Sequence, residues 1–289
     1  MRRKEFFAMV GPSALVMTVL LIVPLIQTFR WSLQRVTYGT PGTWIGLRNY
    51  IDVIGDPRFR ASIIFTVGLT IVGTALKIVV GFFLALLLNA SGKARPVFLG
   101  LLLVSYIVPT VIGATAFSWL FDSNFGGLVN FLLDKVGIEG PLWFTDKWPN
   151  RMMLLGQVIW HEVPFAILIL LAGLQGVSTE SLEAADIDGA SWWQKQRFIV
   201  IPSLYRLLGF IALVSIMDEL RVFDALIPLA PNAVTLGSES VMLYVFNVAF
   251  AAGQQNLGLG SAVSVLTLIV ILILLIPFIR QTYKDVVRV

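Results

Sequence analysis

The 289-residue chain is 57% hydrophobic and only 13% charged, with a mean hydropathy of +0.85; a soluble domain carries about a quarter charged residues. That composition excludes a water-soluble globular domain, and a net charge of +4 in such a chain speaks for membrane orientation rather than nucleic acid. With no cysteine and one histidine, His161, disulfides, thiolate metal sites and a multi-histidine metal site within one chain are excluded as well.

Six spans are predicted, at about 6–29, 61–88, 97–120, 152–174, 204–223 and 261–279, each near the ~20 residues that cross a hydrocarbon core as helix. The first follows Arg2-Arg3-Lys4; it is too long for a signal h-region and no small-x-small cleavage site follows, so a retained helix is expected. The fifth is the weakest, because Asp218, Glu219 and Arg221 fall near its end. A further apolar stretch at about 241–252 is short for a crossing and reads as a re-entrant or external helix. With the N-terminus inside, the inner pieces (about 1–5, 89–96, 175–203 and 280–289) hold ten basic residues in roughly 52 positions, and the outer loops eight in roughly 99. This asymmetry predicts both termini in the cytoplasm.

Between the fourth and fifth spans lies Glu183-Ala184-Ala185-Asp186-Ile187-Asp188-Gly189-Ala190, with Pro202 further on. Good helix formers follow Ser181, an expected N-cap. Gly189 allows a sharp turn, and Ser191 to Ile201 reads as a second short helix. Pro202 fits the first turn of the next span. A helix–turn–helix elbow at the inner surface is expected, its small residues offering a close approach to another protein.

Ionisable residues in spans are costly and start as functional candidates. Here they are Lys77, His161, Glu162, Asp218, Glu219 and Arg221. Lys77 has no obvious partner at its depth, which favours a structural or subunit-contact role. His161 and Glu162 stand just before Pro164, where a helix loses a hydrogen bond. Ser215 and Glu219 share a face at i, i+4. Carboxylates accept paired hydroxyl hydrogen bonds, and Tyr106 or Trp119 offers an aromatic face to a sugar ring; a cationic or amino-sugar solute suits the acids too. The competing reading is an internal network in which Glu219 or Asp218 pairs with Arg221. No nucleophile–base pair, Gly-x-Ser-x-Gly or His-Glu-x-x-His pattern supports an intramembrane enzyme, and Gly92-Lys93 lacks the rest of a P-loop.

Glu-Ala-Ala at 183–185, Gly189 and Ile-Pro at 201–202 resemble the cytoplasmic loop of binding-protein-dependent ATP-binding-cassette importer permeases. Other stretches resemble the maltose- and glycerol-phosphate-type branch: Asn49-Tyr50 leading to Asp56-Pro57-Arg58-Phe59, Tyr106-Ile107-Val108-Pro109, Phe121 through Asn130, Trp160 through Phe165, Phe223-Asp224, and Gly258 through Ala262. Gln196, Arg206 and Ala230-Pro231-Asn232 depart from the pattern. The resemblance implies an all-α, polytopic membrane protein with six transmembrane helices and the type I importer permease architecture. It implies one permease domain at 1–289, with a five-helix core region at about 61–280, a cytoplasmic coupling loop at 178–203, and a first helix and outer loop at 1–60. It assigns ATPase coupling to Glu183, Ala184, Ala185, Asp188, Gly189 and Ala190, and the sugar site to Tyr106, Thr110, His161, Glu162, Ser215, Glu219 and Val222. The implied partners are a second, different permease chain, two ATPase subunits and an extracytoplasmic solute-binding protein. No cofactor is implied in this chain, ATP and Mg belonging to the ATPases, and the implied location is a bacterial or archaeal inner membrane. An ion-coupled secondary transporter, or a permease for a polyamine or phosphorylated polyol, is the alternative.

Overall fold

The computed structural model describes residues 3–122, 126–251, 253 and 255–287, without the side chains of 3–8 and 277–287. Ser123, Asn124 and Phe125 of the Phe121–Asn130 stretch, the basic residues Arg2 and Arg288, and the side chains of Arg3, Lys4, Arg280 and Lys284 lie outside the described residues. In chain order the elements are α1 (Arg3–Ser32), β1 (Gln34–Arg35), β2 (Thr43–Trp44), α2 (Arg48–Gly55), α3 (Pro57–Ala90), α4 (Arg95–Ile107), α5 (Thr110–Phe121), α6 (Leu128–Lys135) and α7 (Lys147–Leu174). Then come α8 (Thr179–Ile187), α9 (Trp192–Ser203), α10 (Tyr205–Glu219), α11 (Leu226–Leu229), α12 (Ala233–Leu236), α13 (Val241–Ala249) and α14 (Leu257–Val287).

Among the described residues, four helices are long and apolar enough to cross a bilayer: Met9–Ser32 within α1, α3, α7, and Leu257–Ile276 within α14. The other two expected spans are bent pairs. The predicted 97–120 span breaks between α4 and α5 at an angle of 101°. Val108 is extended there (φ −64°, ψ 131°), as the ring of Pro109 requires of the residue before it, and Pro109 has no N–H to continue the ladder. The predicted 204–223 span is shorter than expected, since α10 ends at Glu219, and α9 meets it at 70°. Pro202 sits at the end of α9 rather than in the first turn of α10. Residues Gln196–Val200 just before it form a π-helical turn, a widened register that eases the clash of a proline ring with the preceding turn. By contrast α7 runs unbroken through Pro164.

The chain forms two compact units, Met1–Arg60 with Val241–Val289, and Ala61–Ser240. In the first, β1 and β2 pair antiparallel, Gln34 opposite Trp44. Val53, Phe59, Tyr244, Val245, Val248 and Val263 make its core. The buried Tyr244 hydroxyl donates to Oδ2 of Asp56 at 2.7 Å, while Oδ1 accepts the Arg58 N–H at 2.8 Å in the first turn of α3. In the second unit, Phe82, Ala85 and Leu88 of α3 pack with Val163, Ala166, Ile167, Leu170 and Leu174 of α7 and with Leu204 and Ile211.

Candidate functional site

The elbow is built by two helix ends. Ser178, extended at φ −61° and ψ 118°, caps α8 by accepting the Ser181 N–H at 3.2 Å. The cap is therefore three residues earlier than expected, and Ser181 is the N3 position that the cap satisfies. At the other end Gly189 adopts φ +75°. Ala190 N–H donates to Ala185 O at 2.9 Å and Gly189 N–H to Asp186 O at 3.1 Å, the paired bonds that close a helix through a left-handed residue. Ser191 at once caps α9 in a reciprocal box with Gln194. Lys195 Nζ reaches back to Oδ1 of Asp186 at 2.5 Å, tying the two arms. Glu183, Ala184, Asp188 and Gly189 are exposed, and Ile187 is 88% exposed.

Within the second unit, the α4–α5 bend brings Tyr106 and Thr110 to one residue of α7. His161 Nδ1 stands 2.7 Å from the Ser105 carbonyl; because a carbonyl only accepts, Nδ1 carries the hydrogen. In the neutral ring Nε2 is then an acceptor, and Thr110 Oγ1 donates to it at 3.1 Å. Tyr106 stacks on Phe165 with centroids 6.2 Å apart and stays 43% exposed.

One residue on, Glu162 belongs to a second constellation. Lys77 Nζ, buried in α3, donates to its Oε2 and lies 3.1 Å from Oε1 of Glu219 on α10. The contact with Glu219 is an ion-pair distance only: among the described residues, none gives either of that carboxylate's buried oxygens a hydrogen bond of good geometry. Lys77 therefore has two partners where the sequence showed none, and it makes an internal charge cluster of three helices. Arg221 pairs with Asp218 at 3.3 Å, so Glu219 belongs to Lys77 instead. Ser215 is buried one turn before Glu219. Val222 lies past the end of α10, where its carbonyl accepts the Ser240 hydroxyl at 2.7 Å.

Of the seven residues expected at the site, Tyr106, Thr110 and His161 are joined directly, and Glu162 and Glu219 are joined through Lys77. Sequence reading missed Gly73, one turn before Lys77. A Cβ there would overlap the Glu219 carboxylate, so glycine makes the room in which that acid sits. The legible signal was the i, i+4 spacing of Gly73 and Lys77 on one face of a span.

The family of binding-protein-dependent transport system inner membrane components matches residues 77–286. Over 275 residues the chain is 32% identical to the trehalose/maltose transport system permease protein MalF of Thermococcus litoralis, covering 95% of this chain and 92% of that one. It is 29% identical to the trehalose transport system permease protein SugA of Mycobacterium tuberculosis, covering 91% and 84%. Its fold is similar to that of a solved bacterial ABC transporter involved in the import of the acidic polysaccharide alginate, with a TM-score of 0.83 and 19% identity, covering 98% of this chain and 96% of that one.

Proposed function

The chain belongs to the family of binding-protein-dependent transport system inner membrane components, and on that premise we propose that the solute it passes is a sugar or sugar derivative. It is a multi-pass inner-membrane permease of an ATP-binding-cassette importer and not the ATPase subunit. The observation that carries the sugar reading is the convergence of Tyr106, Thr110 and His161 at the α4–α5 bend, with Glu162 the next residue along α7. A half-open aromatic ring offers a stacking face, and Glu162 keeps Oε1 for a hydroxyl donor, since Lys77 takes Oε2. In this reading Glu219, which meets the same lysine from α10, and with it Ser215 and Val222 complete the sugar site.

In this reading the elbow couples the path to a partner. Glu183, Ala184, Ala185, Asp188, Gly189 and Ala190 dock into a cleft of an ATPase subunit on the cytoplasmic side, where both termini also lie. A second permease, a different chain, completes the path, and an extracytoplasmic solute-binding protein delivers the sugar. ATP-driven closure of two ATPase subunits, which hold the ATP and Mg, moves the elbow and rocks the spans between two exposures.

The test is uptake by the full complex in vesicles, with labelled trehalose, maltose and a polyamine offered in turn. The reading expects ATP-dependent uptake of a sugar that falls when Glu162 is changed to Gln. ATP-dependent uptake of the polyamine and of neither sugar would overturn it.

A further inference from the structure

A lysine buried in a membrane span is stable only if its charge is met, and Lys77 is met by two acids from two other helices. Both acids are held for it. Glu219 occupies space that Gly73 leaves open, has no exposed side-chain surface, and finds no hydrogen-bond donor of good geometry among the described residues. Glu162 reaches Lys77 with one oxygen and is 24% exposed. Two carboxylates converging on one point form a receptor for a primary ammonium group. In this chain the receptor is filled from within.

We propose that Lys77 is the residue that sets charge selectivity: as a resident counter-ion it occupies the ammonium site formed by Glu162 and Glu219, closing it to cationic solutes and leaving the outer edge of Glu162 to uncharged hydroxyl groups. The proposal rests on the solute-path reading above and narrows it, since polyamines and amino sugars meet an acid pair that is already taken. It also explains why two acids stand where an uncharged substrate is carried. With the lysine between them they do not present a bare double negative charge.

Truncation of Lys77 to Ala removes three methylenes and the ammonium, which is the outline of n-propylammonium. The assembled complex carrying Lys77→Ala is therefore expected to unfold about 6 °C or more below wild type. n-Propylammonium should restore most of that loss, 1-propanol should not, and wild type should respond to neither. ATP-dependent uptake by the variant should rise with n-propylammonium in the same range, a readout that simple cavity filling by the alcohol does not move. If Lys77→Ala does not assemble, Lys77→Met and the double variant Lys77→Met/Glu219→Gln carry the test. The double variant should yield more assembled complex than the single one, because an uncompensated acid has been removed. Equal rescue by alcohol and ammonium, stabilisation of wild type by the ammonium, or a double variant worse than Lys77→Met would each overturn the proposal. Ammonium rescue of stability in a complex whose wild type takes up no sugar would sink the sugar reading and leave the ammonium site standing.

Discussion

Replacement of Gly189 separates backbone geometry from surface contact at the elbow. The residue sits at φ +75°, and a Cβ built on it meets nothing within 4 Å. Any penalty in the isolated chain is therefore conformational. An L-residue held in the left-handed region costs about 1–2 kcal/mol, Asn less, and a β-branched residue more. That is enough to shift the elbow population by roughly 5–30-fold. Leaving that region breaks the Ala190–Ala185 and Gly189–Asp186 backbone bonds and pulls Asp186 from Lys195. The expected order of ATP-dependent uptake by the reconstituted complex is Gly, then Asn, then Ala, then Val, with normal assembly of the permease pair. If close packing of a partner decided the outcome, Asn, being larger than Ala, would be the worse of those two. Normal uptake by Gly189→Val in a normally assembled complex refutes the reasoning altogether.

Four further outcomes are expected. Gly73→Ala should lower stability and uptake because its methyl group overlaps the Glu219 carboxylate, whereas Gly68→Ala on the same helix, with open space at its Cβ, should assemble and transport normally; equal behaviour of the two removes Gly73 from the site. Pro109→Ala should let α4 and α5 straighten, separating Thr110 from His161, and uptake should fall while membrane insertion, read by fractionation, is retained. Tyr244→Phe removes the donor to Asp56 inside a buried core and should lower stability by about 1–3 kcal/mol, read as a drop in thermal midpoint. Lys195→Met should cost no more than about 1 kcal/mol of stability, as an exposed pair does, yet reduce the uptake obtained per ATP hydrolysed, and the swap Asp186→Lys/Lys195→Asp should recover part of it.

The legible features were those whose cause is local. A glycine after a helix-forming run writes its own turn, so the elbow could be drawn from Glu183 to Ala190, and only the cap was placed late, because Ser178 and Ser181 are equally good cap residues three positions apart. Long apolar runs announce spans, yet hydropathy is blind to backbone direction. Val108-Pro109 lies inside a run apolar enough to cross, and the 101° bend depends on one missing N–H and one ring clash. The least legible feature was the partner of Lys77. Glu162 and Glu219 were both recognised as candidates, but which acids meet a given lysine is decided by the packing of α3 on α7 and α10, between residues far apart in the chain. Gly73 went unnoticed for the same reason, since its role exists only once the Glu219 carboxylate is in place.

The central claim is that work enters through the elbow from a separate nucleotide-hydrolysing protein. The chain has no cysteine, so a single one introduced at Ile187, which is 88% exposed, can carry a photo-activated cross-linker at one defined point. In the full, ATP-hydrolysing complex the account predicts a covalent adduct between this residue and the ATPase subunit, and a loss of uptake in proportion to the adduct formed. Labelling confined to lipid or to the solute-binding protein, from this position and from Ala184 alike, would contradict it.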